Sequence, residues 1–302
     1  MTSATVSVNG AHSVATLTRH VHAVLADAGV SDPVREAREV IAAALDRPPL
    51  WPAVHGDDPV PERDAELAFD AARRRALGMP LAYAVGRAAF RHLTLEVGPD
   101  VLIPRPETEQ LVDVVLEYAT SPAADGGGIA VDIGTGSGAI ALALATEGRF
   151  ERVIATDVST AALAMARRNV ARVGAQMGAC APVEIRAGAG LAPVRHVRAR
   201  AVVSNPPYIA YTEAPSLPAD VRDWEPPIAL FSADDGMAAT AEIIRDAAEI
   251  LEPGGLLAIE VDARRARRAA DLAAADGRYA GITIRRDLAG RDRMLTAIRK
   301  VT

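Results

Sequence analysis

The sequence predicts an α/β protein, with a mostly parallel seven-stranded sheet covered by helices and a small helical domain in front of it. Three observations predict it. From residue 128 onward, short apolar runs alternate with helical periods, the pattern of a parallel sheet covered on both faces. The first of those runs, residues 129–133, leads into Gly134-Thr135-Gly136-Ser137-Gly138 and then into a helical stretch at 139–147. Residues 14–78 instead carry their apolar side chains at helical spacing.

In chain order, residues 14–28 form a helix that stops at Gly29, and Asp32-Pro33 opens a second that runs to about residue 45. Residues 47–61, rich in proline, form a connection. A third, alanine-rich helix covers 62–77 and stops at Gly78. Residues 81–104 alternate polar and apolar and predict a short hairpin bridging two domains. A helix follows at 108–119. The strands are 129–133, 153–157, 183–186, 201–204 and 256–261, each followed by helical sequence. The last two, 279–286 and 293–299, have no helix between them and form an antiparallel pair. Residues 125–128 precede a strand, where phosphate loops follow one, so they are read as a flexible entry. The domain boundaries expected are 1–80 helical, 81–104 linker and 105–302 α/β.

Half the residues are hydrophobic but only 4% are aromatic, so Ala, Val and Leu must fill the core. One cysteine, Cys180, excludes an internal disulfide framework and fits a reducing compartment. No apolar run has the length of a membrane span, and residues 1–10 lack the basic start and apolar stretch of a secretory signal. A net charge of −6 argues against a general nucleic-acid binder. The basic clusters 73–75 and 264–268 fall in predicted helices and read as solvated faces. His12, His20, His22 and His55 show no ligand spacing, so no metal is expected. Oligomeric state is not determined by the sequence. A cytoplasmic monomer working without nucleic acid or membrane is the expectation.

The chemistry concentrates in Asn205-Pro206-Pro207-Tyr208, just after the apolar run 201–203. An asparagine carbonyl and a proline-fixed backbone carbonyl can together accept both hydrogens of a planar NH2 group, and the Tyr offers a flat face beside it. Pro207 locks its own φ and restricts Pro206 to extended conformations, so the acceptors are placed in advance. Alone, the tetrapeptide could be an ordinary turn. Gly134, Gly136 and Gly138 permit a tight turn and close approach of backbone to a ligand, with Asp132 preceding it. This turn lacks the two-residue gap of the dinucleotide fingerprint. Residues 152–157 form a second strand ending in Asp157, which can take the two hydroxyls of a ribose. Glu107 and Glu109, after Pro106, suit the first turn of a helix, where acids meet its positive end.

The order of these elements resembles the S-adenosylmethionine-dependent methyltransferases with a Rossmann-like fold. Tyr83-x-x-Gly86-x-x-x-Phe90, the stretch Val101-Leu-Ile-Pro-Arg-Pro-Glu-Thr-Glu109, DIGTGSG, SNPPYI, Trp224-Glu-Pro and the stretch Asp287-Leu-Ala-Gly-Arg-Asp-Arg293 narrow it to the HemK/PrmC family. That resemblance spans roughly residues 33–300. It implies a class I methyltransferase fold and S-adenosyl-L-methionine as cofactor, with methyl transfer to the glutamine amide in the Gly-Gly-Gln loop of peptide-chain release factors. It also implies cofactor contacts at Asp132, Gly134, Thr135, Gly136, Ser137, Gly138, Asp157 and Asn205. Catalysis falls to Asn205, Pro206, Pro207 and Tyr208, and the substrate meets these together with Arg105 and Glu107. Trp224-Glu225-Pro226 is either loop packing or part of a lid over the substrate.

Two departures from the family pattern stand out. An acid that would hold the adenine amine is expected after the third strand, where this chain has Gly188 and Gly190; another acid, a backbone carbonyl or water must serve. Glu260-Val-Asp262 replaces the more usual Glu-Ile-Gly. Methylation of an adenine amine in nucleic acid remains an alternative, although base flipping usually comes with a basic recognition region. A small-metabolite amide or amine is another. A non-enzymatic cofactor scaffold would leave Asn205 without a role.

Overall fold

The structure, a computed structural model, describes residues 12–121, 127–177 and 180–301. The readings made for residues 1–10, and for 125 and 126 within the entry loop, lie outside the described residues. Two compact units are present, one extending to Arg87 and the other from Ala88 onward.

In the first unit, α1 (Val14–Asp27), α2 (Pro33–Ala44), α3 (Glu62–Ala76) and α4 (Leu81–Val85) accompany a two-stranded ribbon, β1 (His12–Ser13) with β2 (Pro59–Val60). Ser13 caps α1 by accepting the Thr16 amide at 3.3 Å, and Asp32 caps α2 by accepting that of Arg35 at 3.2 Å. Pro33 occupies the first turn, where a missing N–H costs nothing. Leu17, Val21, Leu25, Val40, Ile41 and Phe69 form the core. Beside it Arg75 donates to the buried Glu36 at 2.6 and 3.2 Å. Arg75 therefore leaves the solvated face expected for residues 73–75, because a carboxylate buried without a partner is costly.

Residues 81–104 do not form a hairpin throughout. Helix α4 comes first, stopped by Gly86 at φ 73°, and only β3 (Arg87–Phe90) and β4 (Leu93–Glu96) pair. Phe90, Leu93 and Leu95 join the core of the second unit. Arg91 at the hairpin turn, φ 53°, gives its amide to Glu109 Oε1 at 2.9 Å, and its guanidinium binds the Glu109 carbonyl, Asp113 and Glu147.

The second unit holds α5 (Pro106–Thr120), β5 (Ile129–Ile133), α6 (Ala139–Glu147), β6 (Arg152–Asp157), α7 (Thr160–Met177), β7 (Val183–Ala187) and β8 (Ala199–Ser204). Then come α8 (Ala219–Trp224), α9 (Pro227–Leu230), the single turn α10 (Ala233–Gly236, with Asp234 and Asp235 at the non-helical φ of 52° and 54°), α11 (Ala238–Ile250), β9 (Leu251–Glu260), α12 (Ala266–Asp276), β10 (Tyr279–Arg286) and β11 (Asp292–Arg299). The sheet order is β10-β11-β9-β8-β5-β6-β7, antiparallel only at β10/β11 and β11/β9. Alternate residues of each central strand face opposite ways. Ala130, Val153, Ala155, Ala201 and Val203 pack under α5, α6 and α7, while Val131, Ile154, Val202 and Leu257 pack under α11 and α12.

The chain enters the sheet at β5, moves outward through β6 and β7, then returns to the other side of β5 with β8. Ile133 pairs with Ser204 and also with Thr156. This register brings Gly134 beside Asn205 at the point where strand order reverses, which is where open α/β sheets bind ligands. Arg264 and Arg265 precede α12 instead of lying in it. Asp262 accepts the Arg264 amide at 2.9 Å and delays the helix start, and Arg265 is buried against Glu213 at 2.8 Å. Among the described residues no helix is long and apolar enough to cross a membrane.

Arg75→Ala strands the Glu36 carboxylate in the helical core and is expected to cost about 3 kcal/mol in denaturant unfolding, while replacing both partners (Glu36→Leu with Arg75→Met) recovers most of that loss. Equal stability of the single and double variants would show that leaving Glu36 unpaired carries no penalty.

Candidate active site

A cavity of about 270 Å³ opens at the carboxyl ends of β5, β6, β7 and β8. Of the residues singled out from sequence, Arg105, Gly134, Thr135, Gly136, Ser137, Asp157, Asn205, Pro206 and Pro207 line it. Asp132, Gly138, Glu107 and Tyr208 do not.

Each placement has a local cause. Gly134 and Gly136 have φ of 71° and 55°, and a Cβ at either would stand in open space rather than in protein. The loop thus leaves a bare backbone shelf that a ligand can approach. Asp157 stiffens this shelf from the next strand: Oδ2 accepts the Gly136 amide and Oδ1 the Ser159 amide, both at 2.9 Å. Each oxygen keeps a further lone pair for a ligand hydroxyl. The Gly188 amide donates to the Asp157 carbonyl at 3.0 Å, tying the ends of β6 and β7 together. Val158, lining the cavity and 55% exposed, offers an apolar face next to that carboxylate. Glycines, an acid with lone pairs to spare and an adjacent apolar face together fit a nucleoside-bearing ligand.

Asp132 lies beneath the shelf and is fully buried. Its Oδ2 accepts the Thr135 hydroxyl at 2.6 Å and the Ala141 amide at 3.2 Å, while Oδ1 finds no partner among the described residues. Burial pushes this carboxyl up to about 7, against the opposing pull of those two hydrogen bonds.

Asn205 is held by a relay that the sequence does not display. Its Nδ2 donates to Thr108 Oγ1 at 3.0 Å, and the Thr108 hydroxyl donates to Glu260 Oε2 at 2.6 Å. Glu260 is only 1% exposed, and burial raises its pKa against the Thr108 bond and the charge of Arg293. Because the Thr108 hydrogen goes to Glu260, its oxygen must be the acceptor for Asn205. The amide is thereby oriented with Oδ1 as its uncommitted atom, since no described hydrogen bond uses it. Tyr208 reaches Glu260 Oε1 from the other side at 3.4 Å, and burial followed by the Glu260 charge keeps the phenol protonated well above its ordinary range. Outside the tetrapeptide, Gly236 presses on the Tyr208 carbonyl: a Cβ there would come within 2.3 Å of that oxygen.

Arg105 pairs with Glu225, whose other oxygen accepts the Ile103 amide at 3.3 Å. Glu225 is 3% exposed, so the Trp224-Glu225-Pro226 turn packs inward and anchors the segment before α5. Glu109 is used by the hairpin turn, as described above. Thr108 and Glu260 are site residues that the sequence does not single out; both lie inside motifs named above, but their partners are more than ninety residues away. Glu225 takes the packing role expected as one option for residues 224–226.

The family model described as PrmC N-terminal domain matches residues 16–86, and the one described as methyltransferase small domain matches residues 114–217. Over 278 residues the chain is 41% identical to the release factor glutamine methyltransferase of Moorella thermoacetica, covering 91% of this chain and 95% of that protein. The chain belongs to the release factor glutamine methyltransferase family. A second member of that family, from Mycolicibacterium smegmatis, is 42% identical over 280 residues, covering 92% and 94%. Among solved structures, a methyltransferase from Pyrococcus furiosus superimposes with a TM-score of 0.52 over 79% of this chain and 98% of that one, at 18% identity. That likeness establishes the Rossmann-like methyltransferase fold.

The Asp132 carboxyl carries a testable pH signature. A carboxyl raised in the folded state binds its proton more tightly there than in the unfolded chain, so stability falls as pH rises from the ordinary carboxylate range through about 7. Asp132→Asn removes that slope. Thermal unfolding should therefore show the variant gaining on the wild type between pH 5 and pH 8; a constant difference would mean that Asp132 is ionised throughout.

Proposed function

We propose that this protein transfers a methyl group from S-adenosyl-L-methionine to the side-chain amide nitrogen of the glutamine in the Gly-Gly-Gln motif of peptide-chain release factors. The observation that carries the reading is Asn205, lining the cavity beside the glycine shelf with its amide nitrogen committed to Thr108 and its oxygen uncommitted. Membership of the family supports the choice of substrate.

The glycine shelf of residues 134–138 and Asp157 hold the cofactor, with Asp132 stiffening the shelf from below. When bound, the cofactor supplies a methyl group activated by a sulfonium leaving group. A carboxamide nitrogen is a poor nucleophile because its lone pair is shared with the carbonyl. Asn205 Oδ1 and the Pro206 carbonyl accept its two hydrogens, which draws electron density onto nitrogen and aligns it for in-line attack. Pro207 keeps those acceptors from rotating away. Tyr208, tied to Glu260, braces the tetrapeptide from behind the cavity wall. Arg105 borders the same cleft. No strong general base is needed, because the proton leaves after transfer.

The helical region, taken as residues 1–80, serves as the docking part for the folded substrate. Residues 81–104 are the connection, and residues 105–302 are the methyltransferase proper. Leu50, Val54 and Leu77, each more than three-quarters exposed, give the helical region apolar surface for that purpose. The protein acts as a cytoplasmic monomer, and its acidic charge suits a protein substrate better than direct contact with nucleic acid.

Incubation with methyl-labelled cofactor and separate pools of release factor, DNA and small amides tests the reading. The expected result is one methyl group on the Gly-Gly-Gln peptide; label in the DNA or small-molecule pool alone would overturn it. Asn205→Ala should lower turnover by at least about tenfold, with cofactor affinity nearly unchanged, since an NH2 acceptor and the attack alignment are both lost. Thr108→Val should follow it in kcat and Thr108→Ser should restore activity, because only a hydroxyl passes the Glu260 constraint to Asn205. If Thr108→Val turns over like the wild type, the relay has no part in positioning.

A further inference from the structure

One end of the cavity is not used by the chemistry above. Beyond Asp157 and Val158 the wall is formed by Gly188, Ala189 and Gly190 from the loop after β7, and by Ala239, Glu242 and Ile243 from α11. A ribose held at Asp157 sends its base in this direction, because the other side of β6 is taken up by the glycine shelf. A base there meets apolar surface from Val158 and Ile243, and its ring edge needs polar partners.

Neither glycine can supply one from a side chain without rearrangement. A Cβ on Gly188 would stand 2.5 Å from the Pro193 ring. At Gly190, φ 49°, the same construction falls 2.9 Å from Glu242 Oε1. The space beside Gly190 is thus already filled by a carboxylate that reaches across from α11. No ion pair or hydrogen bond engages that carboxylate among the described residues. Arg245, the nearest cation along its helix, gives its Nε to Asp246 at 2.6 Å. Of the other ionisable groups lining the cavity, Arg105 is paired with Glu225 and Asp157 is bonded to the shelf, which leaves Asp100 as the one other carboxylate of the wall.

We infer that Glu242 receives the exocyclic amine of the cofactor's adenine, so that α11, and not the loop after β7, determines recognition of the base. This rests on the reading that S-adenosylmethionine is the cofactor. The carboxylate is an acceptor without a donor of its own, and an aromatic amine is a donor without accepting capacity once its lone pair is delocalised, so the two are complementary. Gly190 serves the arrangement by leaving the carboxylate its room. A base bearing a 6-oxo group in place of the amine would present oxygen to oxygen and be rejected.

The test uses calorimetry on the full-length protein, with S-adenosylhomocysteine and its 6-deamino purine analogue as probes. The wild type should prefer the amine-bearing ligand by about tenfold, the strength of one exposed hydrogen bond to a charged acceptor. Glu242→Ala should bind both ligands equally and at the weaker affinity, and Glu242→Gln should keep part of the preference. Asp100→Ala should keep all of it. The double variant Glu242→Ala with Gly190→Asp places an acid on the loop in a left-handed position that aspartate tolerates, and should regain the preference. Equal weakening of both ligands in Glu242→Ala would reduce Glu242 to a support for the loop. An unchanged preference in Glu242→Ala, or its loss in Asp100→Ala, would equally overturn the assignment while leaving the cofactor reading intact. Failure of the wild type to bind either probe would sink both.

Discussion

The buried carboxylate of Glu260 is the constraint on which the site depends. It stands at the end of β9, receives the hydroxyl of Thr108 from α5 and that of Tyr208 from the loop after β8, and so joins three elements that meet nowhere in the sequence. A buried acid is costly unless its oxygens are satisfied. Here Oε2 takes a short bond from Thr108 and Oε1 a long one from Tyr208, and the orientation of the Thr108 hydroxyl matters for what lies above it. Thr108 has one hydrogen to give; giving it to Glu260 leaves an oxygen that can only accept, and that turns the amide of Asn205. Orientation is passed along by the scarcity of hydrogens, with no need for strain.

A second carboxylate, Asp157, acts by a different principle. It binds the amides of Gly136 and Ser159, one from its own strand end and one from the neighbouring turn, so the glycine loop is shaped by the residue beside it as well as by its own φ angles. Loop and acid are adjacent because β5 and β6 pair in parallel register. The sheet therefore does more than support the site: register decides which loop can be braced by which acid.

Much of this was legible in the sequence because it rests on repetition. Residues 129–133 and 279–286 are found as strands with the boundaries read from them, since apolar runs beside glycines or turns leave few alternatives. Strand β9 was read as starting only at residue 256, yet it begins at Leu251. Pro253 and the two glycines after it resemble a turn. The strand survives them through a register shift opposite Ala199 to Ala201, and Tyr118 donates to the Gly254 carbonyl at 2.7 Å. Helix α4 was missed because five residues contain too little of a helical period to show one. The motifs around Asn205 and Gly134 announce the site, whereas Thr108 and Glu260 do not. Each is a single polar side chain whose meaning comes from a partner brought near by the fold, and neither spacing nor composition encodes that.

The turn outside the tetrapeptide couples parts of the molecule that lie far apart in the sequence. Asp234, Asp235 and Gly236 are three consecutive left-handed residues, and two of them pay a steric penalty of about 1 kcal/mol or more each. Contacts from elsewhere hold them there: Arg268 binds the Asp234 carboxylate at 2.8 Å, Arg265 binds the Asp235 carbonyl, and Gly236 abuts the Tyr208 carbonyl. None of these is local. The turn is held in place jointly by α12, the arginine before it and the loop after β8. Loop, turn and helix thus become one cooperative unit of opening and closing. In amide exchange, protection of the Met237 N–H, which bonds within this turn at 3.0 Å, would report directly on whether the tetrapeptide 205–208 is in place.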